Sequence, residues 1–224
     1  MKTKLQSYTK LFYLAVILIV IVLLMLLFLN KEKSSSVHID NDKKLYIANI
    51  IEKRLKKDAD IIDSTASRFN EKEREHFSIK GLQYFYPVKS YRVLAEFITD
   101  TSSPIFQMHT TTERKPNYRI YGSVKFRIRD TLCKLTVYQN IDFKNSPDYD
   151  STLFVPFNDN TNGLYTYGGG RYMDIEIPIT NSIKLDFNEA YNPYCAYSSR
   201  WSCPLVPFEN DLNVSIYAGE KKYK

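Results

Sequence analysis

Every residue from Leu11 to Leu29 is apolar or aromatic, and no other feature narrows so far what this chain can fold into. At 1.5 Å per residue a helix over that run extends about 28 Å, close to the roughly 30 Å hydrocarbon thickness of a bilayer. A secretory signal peptide has a shorter apolar stretch and a small-residue cleavage site. Here the run ends Phe28-Leu29-Asn30-Lys31, with no A-x-A pattern and no lipid-accepting Cys. The run therefore predicts an uncleaved transmembrane signal anchor at 11–29, with late cleavage near Ser34 to Ser36 as the lesser alternative. Lys2, Lys4 and Lys10 precede it without any acid, whereas Glu32 lies between Lys31 and Lys33 on the far side. That bias places residues 1–10 in the cytoplasm and the C-terminal part outside it, as a single-pass protein of the cell membrane.

The remainder is long enough for one domain with a substantial core and too short for two. Of the formal charge of +6, three lysines precede Leu11, which leaves +3 on the rest. No basic stripe accompanies it, so nucleic acid is not an expected partner. Residues 30–42, NKEKSSSVHIDND, read as a polar tether. Beyond them Ile47, Ile51, Leu55, Ala59, Ile62, Ala66 and Phe69 recur at helical spacing, with Asp42 as N-cap and Arg54, Lys56 and Lys57 on other faces. This predicts a helical segment over 43–76, broken near Asp63 and Ser64, whose charges form a solvated face.

All nine prolines lie beyond that segment, and so do most β-branched and aromatic runs. YRVLAEFI from Tyr91, IFQMHTT from Ile105, NYRIYGSVKFRI from Asn117, LCKLTVYQ from Leu132, LFVPF from Leu153, MDIEIPI from Met173, SIKLDF from Ser182 and LNVSIYA from Leu212 read as strands. Val124, Phe126 and Ile128 alternate with Lys125, Arg127 and Arg129, and Arg129-Asp130-Thr131 reads as a hairpin turn. With no helical crossover between strands, 77–224 is expected to be a mainly β body, an antiparallel sandwich or barrel-like fold, and 43–224 one domain.

Special residues concentrate near the C-terminus. Segments FSIKGLQYFYP, YRVLAEF, LFVPFNDNTNG, TYGGGRYMDIE, LDFNEAYNPYCAYSSRWSCPL and FENDLNVSIYAGEK occur in that order between Phe77 and Lys221. Together they resemble a bacterial family known only as a domain of unknown function, DUF1684, with the likeness running from about Leu45 to Lys221. Members often carry Ser-Pro-Leu between the helix and the first Phe-x-x-x-Gly-Leu segment; this chain has Ala66-Ser67-Arg68-Phe69. The resemblance implies no activity, but it raises the expectation that the quoted segments form one site.

Gly168, Gly169 and Gly170 permit close approach and positive φ, and their N–H groups beside Arg171 suggest an anion-binding nest. The favoured reading is plainer: a tight turn delivering Arg171 into a buried pair with Asp159, Asp174 or Asp186. Candidate binding residues are thus Asp159, Gly168, Gly169, Gly170, Arg171, Tyr172, Asn192 and Glu209, for an anionic small molecule or an envelope sugar stacked on the clustered Tyr residues. Cys195 and Cys203, eight residues apart, are expected to form a disulfide outside the cytoplasm. Cys133 reads as a buried apolar residue. No histidine falls in these segments, so a Cys-His pair has no evident base and no zinc set is visible. Asn158 to Gly163 has a calcium-loop look but lacks the closing Glu, and a turn is favoured. No cofactor fingerprint and no G-x-S-x-G elbow is present.

The expected function is a membrane-anchored module that binds or scaffolds in the cell envelope, with Arg171 and the glycines contacting an anionic group. The alternative is an extracytoplasmic hydrolase using Asp159, Glu209 or Glu220 with Arg171 in the same site. Whether the chain is an enzyme stays open at this point.

Overall fold

The computed structural model describes the backbone of residues 2–100, 102–143 and 152–223, and the side chains of residues 18, 20–27, 41–100, 102–143 and 152–223. The chain divides into two compact units, Met1–Ala48 and Asn49–Lys224. Helix α1 (Lys2–Ile62) is continuous through 30–42, so the segment read as a polar tether is helical and Asp42 does not begin a helix. The apolar run 11–29 falls mostly outside the residues whose side chains are described. Among the described residues no helix is long and apolar enough to cross a membrane.

In the second unit α1 ends where the Asp63 carboxylate accepts from the Thr65 amide and hydroxyl, both at 2.7 Å, a side-chain turn that competes with helix. Helix α2 (Glu71–Lys80) restarts under a capping box. Asn70 Oδ1 accepts from the Glu73 amide at 3.0 Å and Glu73 Oε2 from the Asn70 amide at 2.9 Å.

The β body is one curled antiparallel sheet, a half-barrel and not a sandwich. Its strands are β1 (Arg92–Thr99), β2 (Phe106–Gln107), β3 (Asn117–Ile128), β4 (Thr131–Asn140), β5 (Thr152–Phe157), β6 (Arg171–Glu176) and β7 (Ser182–Asp186). The order is β6-β5-β4-β3-β1-β7, with the short β2 pairing only with β3. The two edge strands are thus consecutive in sequence. Laid flat, the six strands of that path put their edges about 24 Å apart, at about 4.8 Å per neighbour. The linker from Glu176 to Ser182 reaches roughly 20 Å when extended, so the sheet must curl. A bulge between Ile120 and Gly122 helps. A Cβ at Gly122 would stand 2.4 Å from the Ile98 carbonyl oxygen. The β3–β4 hairpin turns through Arg129 at φ 51° and Asp130, with Ile128 facing Thr131.

Val124, Leu135, Val155, Phe157 and Phe187 are fully buried on the concave side, each contributing about 1.5–3 kcal/mol by burial. Leu212, Val214, Ile216 and Ala218 complete this core. The expected strand at Leu212 is absent. The segment keeps its alternation, but its backbone bonds go elsewhere: Val214 O accepts from the Asn160 amide at 2.9 Å and Ile216 O from the Arg171 side chain at 2.9 Å.

The apolar face expected on the first helix also differs. Ile51, Leu55 and Ile62 are exposed, while Ile50 and Ile61 are buried. The inward face is largely polar. Arg54 donates to the carbonyls of Phe85 at 2.7 Å and Asn188 at 3.0 Å, and Tyr84 donates to Asp58 at 3.0 Å. The charges expected on a solvated face include those that dock the helix.

Strands β4 and β5 share one paired position, Tyr138 with Phe154. Where they splay, the fully buried Asn210 side chain takes the place of ladder bonds. Its Nδ2 donates to the carbonyls of Thr136 at 2.9 Å and Pro156 at 2.6 Å, and its Oδ1 accepts from the Thr136 amide at 2.7 Å. Asn210→Ala is expected to cost about 3–5 kcal/mol in urea unfolding, because three buried backbone groups lose their partner. Asn210→Asp should not rescue it, since a carboxylate cannot donate to carbonyls.

Candidate functional site

The glycine run does not form an anion nest. Gly170, at φ 90°, carries the positive φ of the three, its amide donates to the Tyr167 carbonyl at 3.2 Å, and Gly168 and Gly169 are exposed. A Cβ at Gly170 would meet Val206 at 2.4 Å and Asn158 at 2.6 Å, so the position admits only glycine. The turn delivers Arg171 into the interior, where it is 0% exposed.

Of the three acids considered as partners, Asp159 is the one that pairs with it, Nη2 to Oδ2 at 2.6 Å with both side chains 0% exposed. Nη2 also donates to Ile216 O at 2.9 Å, Nη1 donates to the carbonyls of Ala218 and Glu220, and the guanidinium lies 5.2 Å from the Phe157 ring centroid. Burial draws its pKa down while Asp159 pushes it back. The other Asp159 oxygen accepts from the Thr161 amide at 2.7 Å and from its hydroxyl. The Asn158–Gly163 loop closes on itself, with Asn162 Oδ1 accepting from the Asp159 amide at 2.7 Å, as a turn and not a cation loop. Tyr172 is buried, its hydroxyl donating to Pro204 O. Glu209 accepts from the Tyr138 hydroxyl at 2.6 Å.

Asn192 belongs to a different place. It lines a cleft of about 450 Å³ walled by Lys57, Asp60 and Ile61 of α1, by residues 66–69, by Asp174 of β6 and by Tyr191, Tyr194 and Tyr197. Arg200 holds the loop 66–69, donating to Arg68 O at 2.6 Å and to Glu73 at 2.8 Å. That ion pair brings the Glu73 carboxyl down to about 2.

Behind three of these lining residues the buried Glu220 gathers donors: Lys57 Nζ at 2.6 Å, the Asn192 amide at 2.8 Å and the Tyr197 hydroxyl. Burial, and then the Glu220 charge, raise the Tyr197 pKa well above its usual value, so the phenol stays a donor. Lys57 Nζ also sits 4.7 Å from the Tyr191 ring centroid, and the Tyr191 hydroxyl donates to Asp174 at 2.7 Å. Asn192 is 3% exposed; its Nδ2 donates to Lys221 O at 2.9 Å, and its Oδ1 has no hydrogen-bond partner. Buried amide oxygens are almost always bonded, so Asn192 holds one unmet acceptor beside the cleft. Exposed Arg68, 5.8 Å from the Tyr194 ring centroid, adds a second cation to Lys57.

The expected Cys195–Cys203 disulfide is not formed: both cysteines are free thiols. The 3₁₀ turn Tyr194–Ala196 instead points the Cys195 amide at Cys203 Sγ, 3.2 Å away. Cys133 is buried, and burial raises its thiol pKa.

The sequence reading missed Lys57, Arg68 and Asp174 as cleft residues. The signal within reach was Glu220 in the AGEK segment, a carboxylate that burial would oblige to find a cation.

The family model described as protein of unknown function (DUF1684) matches residues 77–221. Among solved structures, the solution NMR structure of an uncharacterized protein of Haloarcula marismortui is 33% identical, covers 81% of this chain and 97% of that one, and superposes with a TM-score of 0.61. No curated protein matches.

Arg171→Ala is expected to destabilise the fold by about 3–5 kcal/mol in chemical denaturation, because it leaves the Asp159 charge buried and unpaired. Arg171→Lys should recover little, since a point charge cannot serve the carboxylate and several carbonyls together.

Proposed function

We propose, from the premise that this chain belongs to the DUF1684 family of proteins of unknown function, that it is a membrane-anchored module displayed outside the cytoplasm. Its cleft binds an anionic, hydroxylated small molecule of the envelope, such as a phosphorylated sugar or a sugar acid. The unpartnered Asn192 Oδ1 carries this reading. It calls for a ligand hydroxyl, while exposed Arg68 offers a cation to an anionic group held away from Asp60 and Asp174, and the part-exposed Tyr194 ring offers an aromatic surface. The site thus moves from Arg171 to the helix–NPYCAY cleft. The hydrolase alternative draws no support from this geometry, because the carboxylates of Asp159 and Glu220 are buried and bonded within the chain, the Arg171 guanidinium is buried against Asp159, and the exposed Glu209 is tied to Tyr138.

Support for the anchor comes from the apolar run and its flanking lysines, together with the exposure of the described side chains within it, Leu18 and residues 20–27. A reporter that folds only outside the cytoplasm, fused at the C-terminus, should be active. Activity only of a cytoplasm-restricted reporter would overturn the topology.

For the ligand, full-length protein in mild detergent should be stabilised saturably by phosphorylated sugars or sugar acids, by about 2.7 kcal/mol at a hundredfold excess over Kd. Arg68→Ala should weaken that binding about tenfold without changing the melting of the free protein. An equal shift in wild type and variant, or none with any compound, would sink the assignment.

A further inference from the structure

The NPYCAY segment holds a second feature that the cleft does not use. Cys195 is half-buried and reachable from solvent, whereas Cys203 behind it is buried. Cys203 Sγ accepts from the Cys195 amide at 3.2 Å, which brings the two cysteines together. The Tyr167 hydroxyl stands 3.7 Å from Cys195 Sγ. Cys203 is held from the other side by Thr111: its amide donates to Thr111 Oγ1 at 3.1 Å, and its carbonyl accepts from the Thr111 amide at 2.9 Å.

Two thiols in such an arrangement are unequal. The neighbouring Cys203, joined by the Tyr167 hydroxyl, brings the Cys195 thiol down to about 6 against the opposing effect of burial. The neighbouring Cys195 and burial push Cys203 up. The other titratable groups facing the pair are Tyr172, buried, and Arg114, which donates to Ser202 O at 3.0 Å.

We infer that Cys195 and Cys203 form a thiol–disulfide exchange site in which Cys195 attacks an external disulfide and Cys203 resolves it. The Cys195 thiolate attacks one sulfur of the substrate disulfide, that S–S bond breaks, and the departing thiolate takes up a proton. Cys203 then loses its proton and displaces the second substrate thiolate from Cys195, closing the intrachain disulfide. The chain gives up two electrons and two protons, and the substrate disulfide gains them as two thiols. The substrate class is a low-molecular-weight or exposed protein disulfide, since Cys195 alone is accessible. The eight-residue spacing is wider than that of C-x-x-C pairs, but attack depends on thiolate character and access, and here the fold sets Cys203 and Tyr167 beside a part-exposed Cys195.

The test uses the full-length chain, reduced and then exposed to oxidised glutathione, with peptide mapping by mass spectrometry. Wild type should close the 195–203 bond and reopen under dithiothreitol without denaturant. Cys203→Ser should accumulate a mixed disulfide at Cys195. Cys195→Ser should form one at Cys203 at least about tenfold more slowly, as accessibility and thiolate fraction predict. Iodoacetamide on reduced wild type gives the same ranking with no variant, and should label Cys195 before Cys203. Equal labelling of the two, no closure under excess oxidant, or a bond that dithiothreitol opens only in denaturant would overturn the proposal; the last would make the pair a static staple.

Discussion

The Asp159–Arg171 pair is the contact on which the rest of the body hangs. A single curled sheet covers its core from one side, and the concave side must be closed by chain that is not part of the ladder. The segment Leu212–Ala218 does this with Leu212, Val214, Ile216 and Ala218, but an extended segment in that place leaves its carbonyls without ladder partners. Arg171, at the first position of β6, supplies them. Its planar guanidinium serves Asp159, Ile216, Ala218 and Glu220 at once, which no other side chain has enough donors to do. A buried ion pair is weak evidence for net stability. Here its value is in specifying which segment closes the barrel and in what register.

Much of this was legible in the sequence, and the failures have identifiable physical causes. Strict alternation in Val124, Phe126 and Ile128 located the central hairpin, because one face of β3 is buried and the other wet. The same alternation at Leu212 predicted a strand that is absent. Period two reports which side chains point inward and is silent on where the backbone bonds go. The helix failed for a related reason. Apolar spacing chose Ile51, Leu55 and Ile62, while the packed face carries Arg54, Lys57 and Asp58, whose partners lie far along the chain at Phe85, Asn188, Glu220 and Tyr84. Long-range polar pairing leaves no local periodicity. Asn210 is of the same kind: in FEND it reads as a turn residue, and its role exists only because β4 and β5 splay.

The site shows the same division. TYGGGRY was the most conspicuous segment, and the plainer of its two readings is what the structure contains. Gly170 is glycine because Val206 and Asn158 leave no space for a Cβ, and Arg171 is buried with its hydrogen bonds directed at the protein. Of the eight candidate binding residues, Asn192 is the one that lines the cleft. Lys57 could not be singled out among neighbouring lysines without knowing that Glu220 lies within reach.

A distinction between satisfied and unsatisfied polarity separates architecture from function in this molecule. Arg171, Asp159, Asn210 and Glu220 are buried, and the carboxylates, the amide and both Nη atoms of Arg171 have partners supplied by the chain, so a ligand could reach those atoms only by breaking these bonds. Asn192 is also buried but keeps one acceptor unmet in a residue that lines an open cleft. Pro193 favours extended backbone at Asn192, the Glu220 carboxylate takes its amide, and Lys221 takes its Nδ2. The side chain therefore cannot rotate to satisfy Oδ1 without losing a bond already made. Three residues on, the same segment turns Cys195 outward while Cys203 stays inside. Glu220 ties this stretch down at Asn192 and Tyr197, and Cys203, itself bonded to Thr111, ties it at Cys195, so both features follow from side-chain contacts made far along the chain.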